Sequence, residues 1–273
     1  MIYLNNTPLH VTMFPDNTSQ VWNITSLKNN TIIWQFENEA EFLHLAQLKS
    51  LLDTMESIST LTISYLPYGR QDKEISNNTT FALHVFAELL NSLNFHRIVI
   101  HDPHSRKCLD LIQNSEAKYP IDEVMKVAFN TKTDLFCYPD KGAYIKYTGG
   151  GDFQQEVYDY PYIYGNKVRD QLTGSILSYE IISNGMEITN FHGKNILIVD
   201  DICDGGATFT VLAKKLRLCG VGDINLFVTH GLFTKGLKVL KNAGIKRIFT
   251  EKGEADEYEK YNNPFYKIIY KEA

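Results

Sequence analysis

The run from Asn195 to Leu216, NILIVDDICDGGATFTVLAKKL, constrains this chain more than any other stretch. Ile196, Leu197, Ile198 and Val199 form an aliphatic block, with Ile202 just beyond it, around the adjacent carboxylates Asp200 and Asp201. Asp204, Gly205, Gly206, Ala207 and Thr208 follow, and then Val211, Leu212, Leu216 and Leu218 recur at helical spacing. The pattern predicts a buried strand, a tight turn and the start of a helix. Glycine allows positive φ and close approach of backbone to a ligand. The amides and dipole of a helix N-terminus favour an anion there, most often a phosphate. An acidic pair directly before an anion site repels the anion and so needs partners of its own. Sugar hydroxyls, or a divalent cation with hard oxygen ligands, would supply them. An ordinary solvated turn accounts for one of these acids, but not for Asp200, Asp201 and Asp204 beside two glycines.

Strand and helix patterns alternate along the rest of the chain, which predicts mostly parallel sheets flanked by helices. Met1 to Asn6, His10 to Met13, Val21 to Ile24 and Thr31 to Phe36 read as strands, with a turn at Phe14 to Asn17. Phe42, Leu45, Leu48, Leu51, Leu52 and Met55 give a helix between Glu37 and Ile58 an apolar stripe. Leu61 to Leu66 is a strand, the polar segment Glu74 to Thr80 a loop, Phe81 to Leu93 a helix and Arg97 to His101 a strand. Further strands are expected at Leu135 to Tyr138, Tyr162 to Tyr164, Ile224 to Thr229, Ile245 to Thr250 and Tyr266 to Tyr270. The chain of 273 residues suits two α/β domains, with the junction placed between Ser115 and Lys132. We expect domains at residues 1–125 and 126–273. Arg70, His104, Asp140, Lys167 and Asp200 all fall at the carboxyl ends of expected strands, where open α/β sheets bind ligands.

A net charge of −5 argues against a general nucleic-acid binder. No apolar run is long enough to span a membrane and no secretory leader is apparent, so neither membrane insertion nor secretion is expected. Cys108, Cys137, Cys203 and Cys219 show no metal-binding spacing, which suits free thiols in a reducing cytoplasm.

The strand, acidic pair, Asp-Gly-Gly-x-Thr turn and helix resemble the 5-phosphoribosyl-1-diphosphate (PRPP) loop of the type I phosphoribosyltransferase fold. The segment from Tyr65 to Lys73, YLPYGRQDK, looks like the ATP-binding signature of ribose-phosphate diphosphokinases, the PRPP synthetases. Asp102-Pro103-His104, Pro139 to Gly142, Lys167-Val168-Arg169 and Thr229 to Phe233 match further blocks in that family's order. The resemblance spans roughly Val11 to Thr250. It implies two phosphoribosyltransferase-like domains and transfer of the β,γ-diphosphate of ATP to the C1 hydroxyl of ribose 5-phosphate.

On that resemblance Lys167 and Arg169 are catalytic, lying on a loop and stabilising charge on the moving diphosphate. Arg70, Gln71, Asp72 and His104 bind ATP, and Phe14 and Asp16 reach adenine from a neighbouring subunit, so the active unit is at least a homodimer. Asp200, Asp201, Asp204, Gly205, Gly206, Ala207 and Thr208 hold the ribose phosphate. Mg²⁺ is the implied cofactor, with His104, Asp140, Asp200 and Asp201 as its candidate ligands and His104 the weakest, since His prefers softer metals. Two departures stand out. The chain is shorter than the family before Phe14 and after Tyr270. Gly205 also stands where relatives carry Thr, which removes a hydroxyl and is expected to open space for an esterified 5-phosphate. A compact virus-encoded branch is similar in these respects, and some of its members act on ADP-ribose. ADP-ribose, in a host cytoplasm, is therefore the alternative acceptor to ribose 5-phosphate. A phosphoribosyltransferase or a silent regulatory subunit are further alternatives; the Arg70 block argues against the first and intact Lys167, Arg169, Asp200 and Asp201 against the second.

Overall fold

The computed structural model describes residues 1–148, 161–169, 176–183, 191–251 and 253–254, with backbone alone for 167–169, 176–179 and 253–254. The expected strand at Tyr266 to Tyr270 lies outside the described residues. The chain divides into two compact units, the first Met1–Lys118 and the second beginning at Tyr119.

In the first unit the elements are β1 (Ile2–Leu4), β2 (Thr7–Pro8), β3 (Val11–Met13), β4 (Ser19–Val21), β5 (Asn29–Trp34), α1 (Ala40–Thr54), β6 (Ile58–Ile63), α2 (Ala82–Ser92), β7 (Arg97–His101), α3 (Arg106–Leu111) and β8 (Ser115–Lys118). The sheet order is β2-β1-β5-β6-β7-β8. β5, β6, β7 and β8 run parallel in chain order, and β1 pairs antiparallel with β5. Leu45, Leu48 and Leu52, one stripe of α1, are fully buried with Ile32, Trp34, Leu61 and Ile63 of the sheet. Leu51 is only half-buried and Met55 is exposed, so the stripe is narrower than the sequence suggests. β3 and β4 form a separate hairpin. Gln47 of α1 anchors it, accepting from the Val21 N–H at 2.9 Å and donating to the Ser19 carbonyl at 3.0 Å. That anchoring places the second strand of the hairpin at Ser19–Val21, before the stretch from Val21 to Ile24 expected from its apolar residues.

The second unit holds α4 (Ile121–Asn130), β9 (Leu135–Tyr138), α5 (Lys141–Thr148), β10 (Tyr162–Arg169), β11 (Ile176–Ser183), β12 (Ile196–Cys203), α6 (Ala207–Leu218), β13 (Ile224–Gly231), α7 (Lys238–Asn242), β14 (Arg247–Thr250) and β15 (Gly253–Glu254). Its sheet order is β11-β10-β9-β12-β13-β14-β15, parallel from β10 to β14, with β11 and β15 antiparallel at the edges. β12 is buried on both faces because both are covered. Ile196 and Ile198 face one core with Phe209, Leu212 and Leu216 of α6. Leu197 and Val199 face another, with Val124 of α4 and Ala143 and Tyr147 of α5. The buried stripe of α6 is Phe209, Leu212, Ala213 and Leu216; Leu218, read as part of it, is 88% exposed.

The stretch between Ser115 and Lys132 is largely structured, as edge strand β8 and helix α4.

Candidate functional site

Two parallel strands of the second unit set its chemistry. From β9 the chain crosses to β10 on one side, and from β12 it crosses to β13 on the other. The strand order therefore reverses between β9 and β12, and the carboxyl ends at such a reversal leave a crevice for ligands. Pairing between the two strands ends at Ile198↔Cys137, whereas β12 continues beside β13 to Cys203↔Gly231. The sequence suggested a strand ending at the acidic pair. Bonding to β13 instead carries the strand through Asp200 and Asp201 to Cys203, so that the acidic pair lies beyond the last rung shared with β9.

Asp140, just past β9, accepts the Ala143 amide at 2.8 Å and so ties down the first turn of α5. Lys146 of the same helix brings its Nζ to 3.4 Å from Asp201 Oδ1, and the two side chains are only 8% and 7% exposed. The same ammonium lies 4.5 Å from the Tyr147 ring centroid. Asp200 accepts the Asp201 N–H at 3.0 Å. Burial, then repulsion from Asp201 and Asp140, holds the Asp200 carboxyl well above the usual range, and Lys146 offsets only part of this. Among the described residues the crevice is thus an acidic cluster with Lys146 as a buried cation, suited to hydroxyl donors or a hard cation.

Directly beyond, Gly206 has φ of 75° at the N-terminus of α6, and a Cβ there would lie 2.8 Å from Leu240 Cδ2. Both facts favour glycine at this position. No side chain caps α6, so its first turn presents backbone donors to the loop of Asp204, Gly205, Gly206, Ala207 and Thr208. The turn after β13 packs on this loop. Leu232 and Phe233 N–H bond the Cys203 carbonyl at 2.8 and 3.1 Å, and Thr234 Oγ1 donates to Asp204 Oδ1 at 2.6 Å. A Cβ on Gly205 would sit 3.3 Å from Cδ and Cε of Lys235. The space that the missing Thr was expected to open is therefore covered by the lysine stem. Sequence reasoning missed Lys146, Thr234 and Lys235. Lys146 had a signal in its helix following Asp140; the other two had none beyond closeness to His230-Gly231.

Lys167 and Arg169, expected on a loop, belong to the backbone of β10. Register-by-register pairing with β11 extends that strand past Tyr164, with a shift between Val168 and Arg169. The local sequence Gly165-Asn166-Lys167 looks like a loop, and the antiparallel partner overrides it.

The first unit holds the other candidates. Tyr68, at φ 62°, packs its ring 5.3 Å from Phe86 and donates its hydroxyl to Glu39, turning the chain after β6. Gly69 follows, with its would-be Cβ 3.8 Å from His104 Cβ, so the Arg70 segment and His104 are neighbours. Arg70, Gln71 and His104 are exposed and Asp72 half-buried. Phe14 and Asp16 lie on the turn between β3 and β4. Phe14 is exposed, 6.3 Å from the Trp22 ring. Asp16 accepts the Thr18 hydroxyl at 2.7 Å and its N–H at 3.0 Å, which holds its carboxyl below the usual range. Among the described residues, no three His, Cys, Asp or Glu side chains form a metal cage. None of their helices is long and apolar enough to cross a membrane.

No family model matches the chain. It is 23% identical over 244 residues to the ribose-phosphate pyrophosphokinase of Saccharolobus solfataricus, covering 86% of this chain and 81% of that protein. It is 25% identical over 247 residues to the ribose-phosphate pyrophosphokinase of Sulfurisphaera tokodaii, covering 87% and 81%. Its fold superposes on the phosphoribosylpyrophosphate synthetase of Mycobacterium smegmatis with a TM-score of 0.72, at 17% identity, over 89% of this chain and 79% of that one.

Proposed function

We infer that the chain belongs to the ribose-phosphate pyrophosphokinase family and transfers the β,γ-diphosphate of ATP to ribose 5-phosphate. The C1 hydroxyl oxygen attacks the β-phosphorus and loses its proton. The bond from that phosphorus to the α-phosphate oxygen breaks, and AMP leaves as PRPP forms. One observation carries the reading: at the sheet's reversal point a half-buried Asp200 and a buried Asp201 lead into a helix whose N-cap, Gly206, supplies no side-chain cap. Asp200 and Asp201 accept the ribose hydroxyls, and the turn from Asp204 to Thr208 takes the 5-phosphate on its amides. Arg70, Gln71 and Asp72 hold the adenine nucleotide. Lys167 and Arg169 neutralise charge that develops on the diphosphate and on departing AMP, where stabilisation raises turnover most.

Mg²⁺ fits this site: hard carboxylate oxygens crowd it, and a cation would offset the burial and the repulsion from Asp201 and Asp140 that raise the Asp200 carboxyl above its usual range. Asp140, Asp200 and Asp201 of the second unit are its proposed ligands. An all-protein cage is not required, because Mg²⁺ is commonly held by one or two carboxylates together with substrate phosphates. Held there, it would supply positive charge against the phosphates of ATP. Phe14 of a neighbouring copy completes the adenine site, so specific activity falls on dilution below the dimer's dissociation constant; undiminished activity of a strict monomer would exclude that arrangement.

The deciding assay incubates the protein with ATP, Mg²⁺ and ribose 5-phosphate and follows AMP. Release that depends on acceptor supports the assignment, and release no greater than without acceptor overturns it.

A further inference from the structure

We propose that Lys235 is a binding residue for the acceptor's 5-phosphate, supplying from the turn after β13 the side-chain contact that Gly205, Gly206 and Ala207 lack. The inference rests on the reading of the Asp204–Thr208 loop as the phosphate site. Its stem lies over Gly205, with Cγ, Cδ and Cε between 3.3 and 3.5 Å of where a Cβ would stand. The turn that carries it is anchored on both sides. Leu232 and Phe233 bond the Cys203 carbonyl, and the Gly236 amide donates to the Phe233 carbonyl at 2.7 Å. Gly231 is required here because a Cβ would enter the Phe233 ring, and Gly236 adopts φ of 71°. Thr234 donates to Asp204 Oδ1, the nearest loop carboxylate, at 2.6 Å. Among the described residues no carboxylate forms an ion pair with Lys235, which is exposed. Its stem thus runs over Gly205, next to the start of α6, and leaves the ammonium available to a phosphate there. A lysine offers a point charge on a flexible stem, which suits a phosphate approached from one side.

Calorimetric titration with ribose 5-phosphate compares wild type, Lys235→Met and Lys235→Arg. Binding to Lys235→Met is expected to weaken about ten- to a hundredfold, as for loss of a charged hydrogen bond, with Lys235→Arg close to wild type. The KM for ribose 5-phosphate should rise alike, while the KM for ATP and kcat change little. Titration with ADP-ribose separates the two forms of the phosphate. Loss with ribose 5-phosphate alone places the ammonium on the oxygen that esterification removes, and equal loss places it on an oxygen both share. Ribose 5-phosphate binding to Lys235→Met within twofold of wild type overturns the proposal. Absence of turnover in wild type would instead sink the diphosphokinase reading, and the titrations would still decide the role of Lys235.

Discussion

The two units use the same strand–helix alternation and differ in where their sheets change direction. In the second unit the parallel order reverses between β9 and β12, where Asp140 and Asp201 both act on Asp200 and Lys146 is buried against Asp201. In the first unit β5 to β8 follow one another in a single direction, and the candidate nucleotide residues hang on an exposed turn beyond β6. Ser76 and Thr79 close that loop on itself, the Ser76 N–H meeting Thr79 Oγ1 at 2.9 Å. A reversal builds its crevice from the sheet before any ligand arrives. A one-way sheet must borrow its binding groups from turns. The second unit's site is therefore organised at an electrostatic cost, whereas Arg70 and Gln71 of the first stand exposed.

The largest expected effect tests chemistry rather than fold. Lys167→Ala and Arg169→Ala should each lower kcat about a hundredfold or more, as for loss of other preorganised charge stabilisers, while ATP affinity stays within a few-fold. Wild-type turnover in either variant would remove the diphosphate from this strand. Next comes the contrast itself. Lys146→Met strips the buried cation from Asp201 and Asp200 and should cost on the order of 3 kcal/mol. Arg70→Met, at an exposed turn, should cost less than about 0.5 kcal/mol yet weaken ATP binding. Denaturant midpoints of the two variants check this, and similar losses of stability would erase the distinction between the units.

A smaller effect has the opposite sign. The folded-state pKa of Asp200 lies above its unfolded value, so its favourable contribution is present only at low pH and is lost as pH rises through the folded pKa. At pH 7 the ligand-free protein therefore carries a penalty that Asp200→Asn removes. Its Tm should rise by about 2–4 °C for each kcal/mol recovered, the gap should close toward pH 4, and activity should vanish. A variant that melts lower than wild type at pH 7 would contradict the buried repulsion. The smallest effect concerns thiols. Burial pushes the Cys203 thiol up to about 12, while Cys219 is partly exposed. A maleimide should label Cys219 first and leave Cys203 untouched in the folded protein, as mass mapping would read.

Much of this was determined by the sequence alone. Leu135 to Tyr138 and Arg97 to His101 emerge as the strands expected, and the Asp-Gly-Gly-x-Thr turn leads into α6 as its glycines and helical spacing require. Both depend on neighbours in the chain: apolar runs, helical periods and positive φ are local properties. Tertiary structure decided the rest. β8 is a short edge strand of Ser-Glu-Ala-Lys with no apolar alternation to betray it, and β10 outlasts its own propensity because β11 pairs with it. Lys146 meets Asp201 across 55 positions, Thr234 meets Asp204 across 30, and Lys235 covers Gly205 from the same distant turn. No residue pattern encodes those meetings. They follow from the order in which β9, β12 and β13 lie side by side, because hydrogen bonding between strands brings together charges that the chain itself keeps far apart.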